Sequence, residues 1–258
     1  MRILITNDDG LHFPGLTTLA NRLRENHDVY IAAPSTEKSG TSSALTIYDD
    51  VFTEIIDEKT IMVEGFPVDC VNIALHAEVF KEKFDLVVSG INKGVNMGDD
   101  IIYSGTVGAA RHAFIHSHSA LAVSCGYLTN NDNFENVADF TARFIQKFNF
   151  DAQNPVLLNI NYPPVIPEKV PGKEHLFLHP EIKWTKMGRR KYRDTYKRSE
   201  LQGGGVYFNL GGSELGFHLD PGTDFHAYEN GFISITPLQL DATDHGKHTN
   251  LKSVTVEL

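Results

Sequence analysis

Five short segments of this chain are apolar for most of their length: Ile3–Thr6, Val29–Ala33, Phe84–Gly90, Ala120–Cys125 and Val156–Asn161. A strand with one wet face alternates apolar and polar residues. Runs that do not alternate belong to strands covered on both faces, which is the condition inside a parallel sheet packed between helices. The stretches between the runs carry helical spacing, with Leu16, Leu19, Ala20 and Leu23 in Leu16–Glu25 and Val71, Ile73, Ala74 and Leu75 in Asp69–His76. Gly105–Phe114 is small and helix-compatible, and Phe134–Phe148 is a fourth helical stretch. The alternation predicts an α/β fold with a Rossmann-like, mostly parallel sheet and helices on both faces.

Beyond Pro163 the pattern changes. Prolines cluster at Pro163, Pro164, Pro167 and Pro171, a basic stretch KMGRRKYR follows at Lys186–Arg193, and QGGGVYFNLGGSE at Gln202–Glu214 has the composition of a hairpin with loops. A last strand is expected at Gly231–Leu238. The expectation is one α/β domain over 1–258. Its core spans about 1–173 and 227–240, a β-hairpin and loop extension spans 174–226, and the tail 241–258 is available for oligomer contacts.

The chain has 258 residues, of which 41% are hydrophobic, enough to fill a large core. With 23 Lys and Arg against 33 Asp and Glu, the formal net charge is −10. That balance argues against a nucleic-acid polymer, whose phosphate backbone is gripped by basic surfaces. It leaves room for a small anion that arrives with a divalent cation. Cys70 and Cys125 sit in no CxxC or Cys/His cluster and read as reduced core thiols. No secretory leader opens the chain and no run is long and apolar enough to span a membrane, so a cytoplasmic protein without membrane contact is expected.

The first strand runs directly into Asn7, Asp8, Asp9 and Gly10. Two neighbouring carboxylates raise the energy of a folded chain unless positive charge meets them. In open parallel sheets, ligands bind beyond the carboxyl ends of the strands. That rule brings together Asp8 and Asp9, the hydroxyl loop APSTEKSGTSSALT with Ser39, Ser42 and Ser43, and the segment SGINKGVNMGDDIIYSGTVGAA from Ser89 to Ala110. Two carboxylates with hydroxyl and amide oxygens make an all-oxygen site, suited to a hard divalent cation such as Mg²⁺, Mn²⁺ or Ca²⁺. In the third segment, YSGTVGAA opens a helix at Tyr103–Ala110. Hydroxyls and free backbone N–H groups at a helix N-terminus hold an anion, helped by the helix dipole. Carboxylates, a hydroxyl loop and a phosphate-type cradle at one sheet edge point to metal-assisted phosphate chemistry. An aspartate pair in a turn, or a Ser/Thr helix cap, would explain either feature taken alone.

ITNDDG, SGTSSALT, VSGINKGVNMGDDIIYSGTVGAA, LNINYP and GTDFHAYENGFISITPL resemble, in that order, the SurE family of survival-protein nucleotidases, from Met1 to about Leu240. The resemblance implies a metal-dependent phosphatase acting on nucleoside 5′-monophosphates and often on 3′-monophosphates. Carried over by motif position, one divalent cation per subunit would be held by Asp8, Asp9, Ser39 and Asn92. Asn96, Ser104, Gly105 and Thr106 would surround the phosphate, and Asp8, Asp9 and Asn96 would serve catalysis. The resemblance also implies a homodimer or homotetramer with the C-terminal region exchanged between subunits. The alternative is a non-catalytic receiver-like or nucleotide-binding regulatory module. His12, His112, His116 and His118 read as structural, the basic stretch KMGRRKYR as a solvated face ahead of a lid, and Tyr103 and Phe225 as base-stacking candidates that packing explains equally well.

Overall fold

The computed structural model describes residues 1–126, 132–164, 180–192, 195–201, 205–211 and 216–245. Pro167, Pro171, Arg193, the flanks of the 202–214 hairpin and the tail beyond residue 245 lie outside them. Strands β1 (Arg2–Thr6), β2 (Asp28–Pro34), β3 (Thr53–Asp57), β4 (Thr60–Val63), β5 (Leu86–Lys93), β6 (Ser119–Cys125) and β7 (Leu157–Tyr162) come first in the chain. They join β8 (Ile182–Trp184) and β13 (Ile233–Leu238) in one nine-stranded sheet of order β3-β4-β2-β1-β5-β6-β7-β13-β8. The strands from β4 through β2, β1, β5 and β6 to β7 are all parallel. Only β3 and β13 run antiparallel to their neighbours β4 and β7, so the last strand departs from the parallel expectation.

Helices α1 (Pro14–Arg24), α2 (Pro67–His76), α3 (Gly105–Ile115) and α4 (Asp132–Lys147) cover the sheet. Alternate residues of one strand serve opposite faces. Ile3 and Ile5 of β1 pack with Leu16, Leu19 and Leu23 of α1 and Val137 of α4, whereas Leu4 packs with Val71 of α2 and Val107 and Ala110 of α3. Each fully buried leucine contributes about 2 kcal/mol of hydrophobic stabilisation, which is why the helices sit where their apolar stripes dictate. Helices α1 and α2 both begin on proline, whose fixed φ and missing donor suit the first helical position.

After β1 the chain builds outward through β2 to β4 and β3, then returns to the other side of β1 as β5. The switch point of this sheet therefore lies between β1 and β5, whose carboxyl ends open the crevice where doubly wound folds bind ligands. The last third is only partly an extension. Ile182–Trp184 joins the main sheet beside β13, while β9 (Arg190–Lys191) pairs with β12 (Gly216–Phe217). Strands β10 (Thr195–Leu201) and β11 (Gly205–Gly211) form a hairpin that pairs with no other described strand. A short helix α5 (Asp224–Glu229) precedes β13. Among the described residues no helix is long and apolar enough to cross a membrane.

Candidate active site

Strand β1 delivers the first segment. Asn7 closes the turn on itself, its Nδ2 donating to the Gly10 carbonyl at 2.9 Å and its Oδ1 accepting the Gly10 N–H at 3.2 Å. Asp8 and Asp9 project from that turn at the end of a buried strand, and Asp8 is itself buried. The Thr106 hydroxyl donates to Asp8 Oδ1 at 2.6 Å, a bond that joins the carboxylate head to the first turn of α3. Asp9 Oδ2 is buried and accepts no hydrogen bond among the described residues. Burial raises the Asp8 carboxyl above the ordinary carboxylate range, against the pull of the Thr106 hydroxyl. Asp9 is pushed up to about 7 by burial and then by the charge of Asp8, while the Lys93 backbone N–H draws it the other way.

The second segment is tied to the first and third by its backbone. The Lys38 N–H donates to the Asp8 carbonyl at 2.7 Å, and the Ser42 N–H donates to the Tyr103 carbonyl at 2.9 Å. Ser42 Oγ donates to the Ile102 carbonyl and Ser43 Oγ accepts from Arg111, so both hydroxyls fasten the loop to α3 and its approach. Ser39 is exposed and its hydroxyl donates to Glu37 Oε1 at 2.9 Å. Glu37, which sequence reasoning passed over, raises both Asp8 and Asp9 through its charge.

In the third segment, Asn92 Nδ2 donates to the Gly94 carbonyl at 2.8 Å, which engages the amide nitrogen and leaves the oxygen as the end a cation would use. Asn96 is buried in an amide network. Its Nδ2 donates to Ser124 Oγ, its backbone N–H to Asn161 Oδ1, and its carbonyl accepts from Asn159 and Asn161. The two asparagines of LNINY are thus the positioning residues of this loop. Their signal was visible as polar residues inside an otherwise apolar strand. Ser104 caps α3, accepting the Val107 N–H at 3.1 Å. A Cβ on Gly105 would lie 2.9 Å from Asp8 Cβ and 3.0 Å from Asp8 Oδ2, so only glycine lets the helix start this close to the aspartate.

The structure thus brings Asp8, Asp9, Gly105 and Thr106 into one cluster with Ser104 at the cap, and holds Asn96 on the neighbouring strand ends. Asn92 lies at the carboxyl end of β5, and Ser39 stands at the surface beside Glu37. Among the described residues no three His, Cys, Asp or Glu side chains converge as a metal cage. The donor set is two carboxylates plus neutral oxygens, and the partnerless Asp9 Oδ2 fits a hard cation, which would draw both raised carboxyls back down. Phe225 is fully buried, its ring parallel to Phe217 at 4.9 Å and beneath the Arg190 guanidinium, so it is not open to a base. Arg190 departs from the solvated-face reading of KMGRRKYR, being paired with Asp100. His112 and His116 bond or stack within the α2–α3 packing, and His118 Nδ1 lies 3.1 Å from the Phe84 carbonyl. Cys70 and Cys125 are free and buried, and burial pushes the Cys125 thiol up to about 12.

Comparison with known proteins returns the same family at every level. A family profile described as Survival protein SurE matches residues 3–194. The chain is 46% identical over 251 residues to the 5′-nucleotidase SurE of Leptospira interrogans, covering 97% of this chain and 96% of that one. It is 38% identical over 254 residues to the protein of the same name from Geobacter metallireducens, with 98% and 97% covered. The crystal structure of SurE protein from Aquifex aeolicus superposes with a TM-score of 0.79 at 31% identity, over 98% of both chains. With the resemblance running the length of the fold and through all three segments of the site, this chain belongs to the SurE family.

Proposed function

We propose that this protein is a metal-dependent phosphomonoesterase that hydrolyses nucleoside 5′-monophosphates, and 3′-monophosphates as well, to nucleoside and phosphate. The observation that carries the reading is the Thr106–Asp8 hydrogen bond, which joins a carboxylate pair to a helix N-terminus able to cradle phosphate. The name of the Leptospira and Geobacter relatives, 5′-nucleotidase SurE, agrees with its 5′-monophosphate part.

Asp8, Asp9, Ser39 and Asn92 would hold one divalent cation, Mg²⁺, Mn²⁺ or Ca²⁺. Such an ion supplies charge neutralisation at the phosphoryl group and lowers the pKa of bound water. The chain's own residues do the positioning. Backbone N–H groups at the start of α3, that of Thr106 included, bind phosphate oxygens together with the Ser104 hydroxyl and let the helix dipole stabilise their charge, while the Thr106 hydroxyl stays with Asp8. Asn96, locked by Ser124, Asn159 and Asn161, presents a fixed polar group that orients the phosphate or the attacking water. Water is the nucleophile in this reading, because Asp8 is engaged by Thr106 and committed to the cation. Positioning and charge stabilisation are most of what phosphoryl transfer demands.

The reading includes a cytoplasmic protein, consistent with two free thiols. It also includes a homodimer or homotetramer, supported by the exposed apolar face of the β10–β11 hairpin. The test is phosphate release from 5′-AMP with Mg²⁺ or Mn²⁺, beside an EDTA control and the Asp8→Asn variant. Release that both controls abolish is expected. No release from any nucleoside monophosphate would remove the reading in favour of a nucleotide-binding regulatory module.

A further inference from the structure

We propose that Tyr103 and Tyr192 form a platform on which the substrate's base stacks, so that this site prefers nucleoside monophosphates to phosphomonoesters that lack a base. The proposal rests on the nucleotidase reading and deepens it. Tyr103 immediately precedes Ser104, the cap of the cradle helix. Adjacent α-carbons lie about 3.8 Å apart, so its ring stays within reach of the organic part of an ester whose phosphate sits on Ser104–Thr106. Yet Tyr103 is 59% exposed and Tyr192 42%, although large aromatic rings are ordinarily well buried. The two rings meet edge to face, with centroids 6.4 Å apart and planes at 87°. A base lying on either ring stands edge-on to the other, which combines the two favourable aromatic arrangements.

Tyr103 is held through its backbone and Tyr192 through its phenol. The Tyr103 carbonyl accepts the Ser42 N–H, tying the residue to the hydroxyl loop. The Tyr192 phenol donates to Asp100 Oδ1 at 2.8 Å, and burial together with that bond raises its pKa, which keeps the donor protonated. Asp100 Oδ2 accepts from Arg190 Nε at 2.8 Å and from its Nη2, and the Arg190 N–H donates to Asp99 Oδ2 at 2.9 Å. The Arg190 guanidinium lies 4.8 Å from the centre of the buried Phe225 ring. Asp99 and Asp100, another adjacent acidic pair, therefore anchor the arm that carries Tyr192. A ring fixed before the ligand arrives loses little freedom on binding.

The test is calorimetric titration of 5′-AMP and of ribose 5-phosphate, without added divalent cation, into the wild type and into Tyr103→Ala, Tyr103→Phe and Tyr192→Ala. Stacking on one aromatic side chain is worth roughly tenfold or more in affinity. The wild type is expected to bind 5′-AMP about tenfold tighter than ribose 5-phosphate. The ratio should fall towards one in both alanine variants and persist in Tyr103→Phe, which keeps the ring. A loss of structure would weaken both ligands together and leave the ratio unchanged. Equal affinities in the wild type, or an undiminished ratio in both alanine variants, would overturn the platform. Phosphate release with Mn²⁺ is read separately. AMP preference without release removes the nucleotidase reading and leaves the platform standing, whereas release without preference does the reverse.

Discussion

Thr106 shows how one hydroxyl can matter to a site without contacting the chemistry. Its bond to Asp8 Oδ1 is buried and charge-assisted, a class worth roughly 1.5–3 kcal/mol. It also orients a carboxylate that would ligate the cation, and outer partners of metal ligands typically govern affinity by about 10–100-fold. Thr106→Val should therefore raise the Mn²⁺ concentration needed for half-maximal phosphate release by about that factor, while circular dichroism stays native. A variant with unaltered metal dependence would assign the hydroxyl a packing role only. Gly105→Ala follows from sterics, since the new Cβ would press on Asp8. Its expected cost is a fall in kcat/KM of about a hundredfold, the scale of small misplacements at a reacting centre. A melting temperature within a few degrees of wild type would locate that loss in the site. Of these residues, Asp8, Asp9, Ser104, Gly105 and Thr106 were legible in the sequence because a strand end and a helix start announce themselves by composition. Glu37 was not, and Asn159 and Asn161 stood out only as polar residues in an apolar strand; their bonds to Asn96 depend on loops and strands that meet only in the folded chain.

At the scale of elements, the contact between α2 and α3 contains a chain of imidazoles. His76 Nε2 lies 3.1 Å from His116 Nδ1, the His112 ring packs 4.7 Å from that of His116, and His112 Nε2 meets Asn72 Oδ1 at 3.3 Å. Burial first, then the neighbouring His116 and His76, depress His112 to about 4, against a small opposing pull from Asp69. A histidine depressed on folding takes up its proton first in the unfolded chain. Its contribution is therefore complete above about pH 6.5 and is lost as the pH falls towards 4. Allowing for the half of the ring that water still screens, the loss is on the order of 1 kcal/mol. Urea denaturation at pH 7 and pH 4.5 should show His112→Gln losing less stability on acidification than the wild type. Equal losses would show that the ring titrates normally. Asp224 plays a comparable part between α5 and the cradle. Its carboxylate accepts the backbone N–H groups of Gly98, Gly188 and Phe225, riveting the approach to α3 onto the C-terminal third. Helices α1 to α4 and the strands β1, β2, β6, β7 and β13 were legible from spacing within one or two residues, and β5 runs three residues past its expected end. The β3–β4 pair was not, because β3 is an exposed edge strand whose Ile55 and Ile56 face water and so break the burial pattern.

For the whole molecule, the β10–β11 hairpin carries Tyr196, Val206, Phe208 and Leu210 on one face by its register, and all four are exposed. An isolated two-stranded hairpin is marginally stable in water, and exposed apolar patches mark contact surfaces. If this face makes the proposed homodimer or homotetramer contact, Phe208→Asp with Leu210→Asp lowers the mass read by light scattering after size exclusion, with the core's melting transition retained. An unchanged mass would take the hairpin out of the assembly. The sequence by itself determined the doubly wound sheet, its two-sided core and the carboxylate and cradle ends of the site, because burial period and helix capping are local and act along the chain. Tertiary structure alone decided that β13 runs antiparallel and that Ile182–Trp184 joins the main sheet. It also decided that Arg190 clamps Asp100 rather than facing water, and that Phe225 is core while Tyr103 is open. Those outcomes turn on which distant surfaces meet, and local propensity carries no information about a partner that only folding brings within reach.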